Sequence, residues 1–455
     1  MKLKSGDTVR VTIDDLAFGG MGVARADGFV IFVEGGLPGD EIEARIFKVR
    51  GNFAESRIER LITRSEHRIA PACGHFGQCG GCKWQNLDYA IQKKYKENQV
   101  REAIIHIAGI PDPPVEPIIG AHKIYYYRNK MEFSFHAGDD GETVLGLHLA
   151  GRFRDVFQLE QCHLQSEISN QIVRFVRDRS RELNLPPYHI VDHEGYLRFL
   201  VIRDGKFTGQ VLVNIVTGGG EYEALDTLGR ELGQRFEQVV SVSHTVNSAR
   251  ANIARGDRER IIYGTDHIIE ALGGKKFRIS AGSFFQTNSY QAQRLYDLAV
   301  ELAEPEKNER MLDLYTGTGT IAIYFSDLVK EAVGVESVGD AVADAVVNAK
   351  VNGVSNVEFL TADVEDFMRI AVDQGQKYDL LILDPPRAGC HPRTLKYLAA
   401  MKPHKIVYIS CNPATLARDL KSLTENGFEL EKAIPLDLFP HTFHIEAVCR
   451  LTSRG

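Results

Sequence analysis

The spacing of hydrophobic residues changes twice along the chain and divides it into three segments. Residues 1–62 alternate apolar and polar positions in short runs that end at glycine-rich stretches. Alternation with a period of two predicts β-strands joined by tight turns, here at residues 8–13, 28–33, 41–46 and 56–62. Short strands with frequent turns are typical of a small closed β-barrel, and this segment is predicted to form one.

The second segment, residues 63–275, has a mixed pattern. A cysteine-rich loop precedes a predicted helix at residues 87–108, and a proline-rich connector follows at residues 111–117. Apolar runs at residues 198–203 and 210–216 predict strands. The pattern indicates an α+β domain and leaves the order of its strands open.

The third segment, residues 276–455, alternates helices and strands. The predicted helices are residues 288–303, 320–328, 341–352 and 415–423. The predicted strands are residues 310–315, 332–336, 357–360, 378–383 and 405–410. This alternation predicts an α/β fold with a doubly wound parallel sheet, whose ligands bind beyond the carboxyl ends of the strands.

Charge and composition narrow the choice of partners. The chain has a formal net charge of −7, but residues 45–154 hold 17 Lys plus Arg against 12 Asp plus Glu. A basic zone on an acidic protein indicates local contact with a polyanion, although a solvated surface gives the same count. No apolar run approaches the ~20 residues of a membrane span, and the N-terminus lacks the apolar core of a signal peptide. A cytoplasmic protein without membrane contact is therefore expected.

A glycine-containing loop, Asp313-Leu-Tyr-Thr-Gly317-Thr-Gly319-Thr, lies between a predicted strand and a predicted helix. Glycines there let the backbone approach a ligand closely. Residues 317–322 also satisfy the relaxed dinucleotide fingerprint, so NAD and plain packing glycines remain alternatives to S-adenosylmethionine (SAM). Glu336 ends the next strand and Asp363 follows the third, which favours a nucleoside without a pyrophosphate.

Three further motifs carry candidate chemistry. Asp384-Pro-Pro-Arg387 follows a buried strand, and Cys411 lies between another strand and a helix start, where backbone amides favour the thiolate. Residues 437–446 are predicted to place two histidines and Glu446 in the closing strands. Each motif alone also has a purely structural interpretation. A cysteine at the end of a strand is usually an unreactive core residue, and a Glu beside a His is usually a surface pair.

Together these motifs resemble the RNA 5-methyluridine (uracil-C5) methyltransferase family. Its signatures, Asp-Pro-Pro-Arg-x-Gly with Ser-Cys-Asn-x-x-Thr and Asp-x-Phe-Pro-x-Thr-x-His-x-Glu, match residues 384–389, 410–415 and 437–446. The resemblance implies that Cys411 is the nucleophile and that Glu446 is the base that abstracts a proton. It also assigns a set of residues to cofactor or target binding, namely Gln286, Tyr315, Thr320, Glu336, Asp363 and Asp384. Related loops often carry Asn at the position of Thr320.

The N-terminal segment resembles the TRAM domain, an OB-fold module appended to RNA-modifying enzymes. The matching stretches are Gly19-Gly-Met-Gly-Val-Ala24 and Gly36-Leu-Pro-Gly-Asp40. The implied architecture is α/β: a Rossmann-like SAM-dependent methyltransferase domain at 276–455 follows a TRAM barrel at 1–62 and a central α+β iron–sulfur domain at 63–275. A barrel that serves only for protein packing is the alternative for the first segment.

Four of the seven cysteines form the pattern Cys73-x5-Cys79-x2-Cys82 with Cys162 far downstream. Four thiolates suit structural zinc or an iron–sulfur cluster, and spacing alone does not decide between them. The resemblance to the ribosomal-RNA branch of the family implies a [4Fe–4S] cluster. Cys390 and Cys449 have no evident partners and are predicted to be structural.

The implied partner is RNA, and no obligate protein partner is expected. The barrel and the cysteine site resemble the 23S ribosomal-RNA branch more than the transfer-RNA branch, whose members usually lack both. Tyr125-Tyr-Tyr-Arg128-Asn-Lys130 interleaves aromatics with cations, which suits base stacking and phosphate contact, although an ordinary strand explains it equally well. The alternatives are an enzyme of this family that methylates a transfer-RNA uridine, a transferase of the same fold that acts on another target, a non-catalytic RNA-binding protein and a dehydrogenase.

Overall fold

The computed structural model describes residues 3–26, 28–138 and 141–454, and the elements given below are those of the described residues. The first six strands form one sheet in the order β1-β5-β6-β4-β3-β2. They are β1 (Thr8–Thr12), β2 (Asp15–Leu16), β3 (Gly22–Ala26), β4 (Phe29–Glu34), β5 (Glu41–Arg50) and β6 (Phe53–Thr63). The edge strands β1 and β2 are consecutive parts of one extended segment, so the sheet curls into the predicted barrel.

The barrel is filled by small and branched apolar side chains from alternate strand positions. Ile31, Val33, Ile42, Ala44 and Ile46 have at most 1% of their surface exposed. Because side chains alternate across a strand, the residues between them face outward. β6 ends at Thr63, one residue beyond the boundary expected from the sequence.

The central segment forms a seven-stranded sheet in the order β13-β12-β11-β10-β7-β8-β9. Its strands are β7 (Lys130–Ala137), β8 (Thr143–Leu149), β9 (Arg152–Gln158), β10 (Leu197–Asp204), β11 (Val211–Thr217), β12 (Val239–Val246) and β13 (Arg258–Gly264). Helices α2 (Glu167–Glu182) and α3 (Glu223–Arg235) pack on this sheet. The predicted strands at 198–203 and 210–216 are the neighbouring antiparallel strands β10 and β11.

Two parts of the expected central segment pack elsewhere. Helix α1 (Tyr89–Ala103) continues into a π-helical turn (Ile104–Ala108), and Val100 and Ile104 are buried in the core of the C-terminal domain. The boundary expected at residue 275 falls at the hairpin of β14 (His267–Leu272) and β15 (Lys275–Ser280). Both strands of this hairpin bury apolar side chains in the same cluster as α4 (Ser289–Ala303), so they pack with the C-terminal domain.

The C-terminal sheet has seven strands in the order β18-β17-β16-β19-β20-β22-β21. They are β16 (Arg310–Leu314), β17 (Glu331–Glu336), β18 (Val357–Thr361), β19 (Leu380–Leu383), β20 (Lys405–Ser410), β21 (Phe428–Leu436) and β22 (Glu446–Ser453). The helices are α5 (Thr320–Phe325), α6 (Gly339–Val351), α7 (Val364–Asp373), α8 (Pro392–Met401) and α9 (Pro413–Glu425). β16 to β20 are parallel as predicted, whereas β22 runs antiparallel between β20 and β21.

Candidate active site

Strand register brings Cys411 and Glu446 to the same edge of the C-terminal sheet. Cys411 follows β20, and Glu446 is the first residue of the antiparallel strand β22. Ser410 pairs with Ala447, so the two candidate catalytic residues lie across from each other at the carboxyl edge of the parallel strands. Asp384, which follows β19, ends on the same edge. The crevice expected from the alternating pattern is therefore formed here.

Ionisable side chains in this crevice have strongly perturbed pKa values. Burial, the Glu446 carboxylate and the Asp384 carboxylate raise the pKa of Cys411 from its ordinary value near 9 to about 11. Burial raises the pKa of Asp384 to about 7. Burial, with the Asp384 charge adding to it, raises the pKa of Glu446 well above its usual range. Clustered shifts of this kind are typical of functional sites.

The predicted stabilisation of the Cys411 thiolate by the start of α9 is outweighed in this structure. The Arg387 charge and a backbone amide act to lower the pKa of the thiol, but burial and the two carboxylates act more strongly in the other direction. The resting thiol is thus protonated near neutral pH.

Arg387 and His444 meet in the crevice. Arg387 Nη2 lies 3.3 Å from His444 Nδ1, and burial followed by the Arg387 charge lowers the pKa of His444 to about 4. The loop that carries Arg387 is tied to the loop of the candidate nucleophile, because Asn412 Nδ2 and Thr415 Oγ1 both donate to the Arg387 carbonyl at 3.2 Å. The two halves of the first signature are therefore held together as one unit.

The position of the second signature differs from its prediction in one respect. Residues 437–445 form the loop between β21 and β22. Of the two histidines and the glutamate predicted to lie in strands, only Glu446 does so. The apolar run that predicts a closing strand begins only after Glu446. His441 and His444 are therefore loop residues, and His441 has a left-handed backbone, with φ of 66°.

The loop after β16 has the backbone shape of a ligand-binding turn. Tyr315, Gly317 and Gly319 have φ angles of 66°, 55° and 77°. A Cβ at Gly317 would meet no described atom within 4 Å, whereas one at Gly319 would lie 2.6 Å from Phe359 Cζ. Gly319 is thus required by packing, and Gly317 leaves open space beside the loop.

Acidic residues surround this loop. Glu336 Oε2 accepts the Gly317 N–H at 3.2 Å, and Glu336 Oε1 accepts the Val338 N–H at 3.0 Å. Asp313 Oδ2 accepts from Thr316 Oγ1 at 2.5 Å, while the buried Asp313 Oδ1 has no partner among the described residues. Burial raises the pKa of Asp313 to about 7.

The remaining predicted cofactor residues lie at different depths. Thr320 is buried as the first residue of α5, and its hydroxyl lies 3.3 Å from Thr318 Oγ1. Asp363 is exposed and caps α7 by accepting the Glu365 and Asp366 amides. The half-buried Gln286 has its carbonyl held at 2.8 Å by Asn129 of the central domain.

Tyr296 on α4 is a residue that the sequence reasoning missed. It is buried, and after burial itself the Asp384 and Asp313 charges are the largest causes that raise its pKa, with Glu446 contributing less. Tyr296 therefore lies beneath the crevice among three carboxyl groups. Its spacing on α4 is that of an ordinary core residue, which left no signal in the sequence.

The four cysteines of the predicted cluster come from the loop before α1 and the loop before α2. The charges of Cys162, Cys79 and Cys73 add to burial in raising the pKa of Cys82 to about 12. Gly81 N–H lies 3.4 Å from Cys79 Sγ, and Gln85 Nε2 lies 3.2 Å from Cys82 Sγ. The cysteines are thus close enough to interact, and their sulfurs face hydrogen-bond donors.

Binding of a single metal ion requires a specific arrangement of ligands, and four neighbouring thiols do not by themselves provide it. No group of three or more His, Cys, Asp or Glu side chains within the described ranges is arranged to hold a metal ion. A lone zinc needs four ligands converging on one point, whereas each cysteine of an iron–sulfur cluster binds a separate iron. Four cysteine thiolates are a donor set that either kind of centre uses.

Comparisons with known proteins decide the family. The tRNA (uracil-5-)-methyltransferase family matches residues 230–454, and the TRAM domain matches residues 2–58. An RNA methyltransferase of Halalkalibacterium halodurans is 38% identical over 453 residues, which are 99% of this chain and 98% of the relative. The chain belongs to the SAM-dependent RNA (uracil-5-)-methyltransferases.

The fold of this RNA methyltransferase is shared over the full chain with a solved member. The structure of the Pyrococcus abyssi tRNA (uracil-54, C5)-methyltransferase, in complex with S-adenosyl-L-homocysteine, is 31% identical, with a TM-score of 0.78. The match covers 98% of this chain and 100% of that one. The predicted TRAM domain and methyltransferase fold are thereby confirmed. Because a tRNA enzyme matches the whole chain, the overall architecture does not by itself favour ribosomal RNA.

Proposed function

We propose that this chain transfers a methyl group to C5 of a uridine in RNA through a covalent bond between Cys411 and C6. The observation that carries the proposal is the register of β20 and β22, which brings Cys411 and Glu446 to one edge beside Asp384. The three groups are close enough to interact, because after burial the Glu446 and Asp384 charges raise the pKa of Cys411 and the Asp384 charge raises the pKa of Glu446. Amine methylation needs neither a thiol nor a base in this arrangement.

The chemistry explains the residue types. Uracil C5 is a weak nucleophile. The thiol of Cys411 loses its proton to solvent, and addition of the resulting thiolate sulfur to C6 moves electron density onto C5. Once the methyl group is attached, Glu446 removes the C5 proton, the electrons of that bond form the C5–C6 double bond, and the S–C6 bond breaks. Cys411 leaves as the thiolate. The target base must leave its stack to reach the crevice.

The crevice fits the cofactor that the family implies. SAM supplies an electrophilic methyl group when bound. The loop after β16 leaves open space beside Gly317, and the carboxylate of Glu336 lies at that loop. Asp313 Oδ1, at the end of β16, has no hydrogen-bond partner among the described residues. We assign Gln286, Tyr315, Thr320, Glu336, Asp363 and Asp384 to binding of the cofactor or the target base.

We assign the cysteine set Cys73, Cys79, Cys82 and Cys162 to a [4Fe–4S] cluster. Mutual proximity of the thiols and the donors that face the sulfurs of Cys79 and Cys82 support the assignment. Protein prepared without oxygen should be brown and contain iron in preference to zinc. A colourless, active protein with one zinc per chain contradicts the cluster.

We propose 23S ribosomal RNA as the substrate, on the resemblance of the cysteine site to the ribosomal branch. A transfer-RNA uridine is the second candidate, favoured by the full-length match to the Pyrococcus enzyme. We propose that the enzyme acts in the cytoplasm, where either RNA would be its substrate. No described helix is long and apolar enough to cross a membrane. Mapping 5-methyluridine in RNA from cells with and without the gene decides the substrate. Loss of one modified uridine in 23S RNA supports the first, and loss in transfer RNA replaces it.

A further inference from the structure

The first half of the loop between β21 and β22 is anchored to helix α1. Lys96 Nζ donates to Asp437 Oδ1 at 2.7 Å and to the Phe439 carbonyl at 3.1 Å, and the Lys96 and Asp437 side chains are fully buried. Gln92 Oε1 accepts the backbone N–H of His441 at 2.9 Å. A buried ion pair costs desolvation energy and is weak evidence for stability, so a positional role accounts for it better.

The cysteine loop holds the same segment from another direction. The backbone N–H groups of Lys83 and Trp84 both donate to the His441 carbonyl, at 2.9 and 3.0 Å. Gln92 Nε2 donates to the carbonyls of Trp84 and Leu87 at 2.9 and 2.8 Å. The side chain of Gln92 therefore joins the cysteine-rich loop before α1 to the loop between β21 and β22.

These bonds fix a strained backbone. His441 has φ of 66°, a left-handed conformation that is unfavourable for a residue with a Cβ unless its surroundings impose it. Its N–H and its carbonyl are both engaged by the bonds described above. Such strain persists where the structure over-determines the backbone, and it concentrates at functional sites.

The anchored segment is coupled directly to Glu446. Leu436, the residue before Asp437, pairs with Glu446 across β21 and β22, so this pair closes the loop. A shift of residues 437–441 therefore moves the strand pair that carries the carboxylate. A misplacement of ~1 Å at a reacting group costs a rate factor of ~100.

We propose that Gln92 and Lys96 are positioning residues that hold Glu446 for removal of the C5 proton. The inference rests on the proposed function. In the affected step the C5 proton passes to the Glu446 carboxylate, the C5–H electrons form the C5–C6 double bond, and the sulfur of Cys411 leaves C6 with its electron pair. Attachment of the sulfur and of the methyl group precedes this step and does not need Glu446.

The experiment follows one turnover with methyl-labelled SAM and excess target RNA, and it resolves protein–RNA adducts on a denaturing gel. Gln92→Met keeps a side chain of similar length and removes the hydrogen bonds. Gln99→Met is the matched control, because Gln99 lies on the same helix and bonds the carbonyl of Leu16 in the barrel. Lys96→Met with Asp437→Asn is a second variant, which leaves no unpaired buried charge.

Gln92→Met should accumulate a methylated adduct that resolves at least tenfold more slowly than in wild type, while attachment of the methyl group changes less than threefold. Gln99→Met should release product at close to the wild-type rate. Equal slowing of both steps would show a general structural role and overturn the inference. The inference is also overturned if Gln92→Met and the double variant both release product normally while Glu446→Gln accumulates adduct. If Glu446→Gln releases product normally, another group removes the proton and the inference fails, while the proposed methyl transfer stands. If wild-type protein itself forms neither adduct nor 5-methyluridine, the proposed function fails.

Discussion

The protonation of Cys411 gives a prediction whose size follows from the crevice. With a pKa of about 11 in place of about 9, the thiolate fraction at pH 8 falls from ~10% to ~0.1%. Alkylation by iodoacetamide, read at the Cys411 peptide by mass spectrometry, should therefore be ~100-fold slower than for an unperturbed thiol. Its rate should rise ~tenfold per pH unit from pH 7 to 10, without a plateau.

Two variants should move this rate in opposite directions. Glu446→Gln removes a negative charge that disfavours the thiolate, so the pKa of Cys411 should fall and the rate at pH 9 to 10 should rise; one pKa unit gives ~tenfold. Arg387→Gln removes a positive charge that favours the thiolate and should slow the reaction. A plateau near pH 8 in wild type, or no acceleration in Glu446→Gln, would refute the electrostatic account.

The other predictions concern the base, its neighbour and the cofactor loop. Glu446→Gln should accumulate a denaturation-resistant protein–RNA adduct that carries labelled methyl, because an amide cannot accept the C5 proton; normal release of 5-methyluridine would assign proton removal to another group. His444 is a weak proton acceptor, because burial and the Arg387 charge lower its pKa to about 4, so His444→Gln should slow single-turnover release by less than the ~100-fold typical of losing a general base. Gly319→Ala should lower the free energy of unfolding in urea by at least ~2 kcal/mol, because its Cβ would lie 2.6 Å from Phe359 Cζ at a positive φ. Gly353→Ala, at a φ of 65° with no described atom within 4 Å of the Cβ, should cost less, and equal losses would show that packing is irrelevant.

The alternation of short elements was enough to predict the C-terminal sheet. Its central strands β16, β19 and β20 are largely buried apolar runs of four to six residues, and α4 begins directly after Asn288, whose side chain caps it. The direction of β22 could not be predicted in this way, because an antiparallel strand inside the sheet has the same local pattern as a parallel one. That reversal is what brings Glu446 to the edge where Cys411 lies.

The motifs predicted which residues share the site, but not how it is held. Gln92, Lys96 and Val100 form one buried stripe at intervals of four residues, so two polar residues on the inner face of α1 were the available signal. The partners of Gln92 and Lys96 lie in the loop between β21 and β22, more than 300 residues away along the chain. No local pattern indicates such contacts. The high pKa of Cys411 could not be predicted from the sequence either, because it depends on burial and on carboxylates contributed by strand β22 and by the loop after β19.

One measurement tests the covalent account most directly. Purified wild-type protein and Cys411→Ala are each incubated with methyl-labelled SAM and target RNA, the RNA is digested to nucleosides, and labelled 5-methyluridine is quantified. Binding of unlabelled SAM to both proteins is measured in parallel by calorimetry. A covalent mechanism through Cys411 predicts label in 5-methyluridine for wild type, none for Cys411→Ala, and similar SAM affinity for both proteins. Substantial 5-methyluridine from Cys411→Ala, or label at another atom of the nucleoside in wild type, would contradict it.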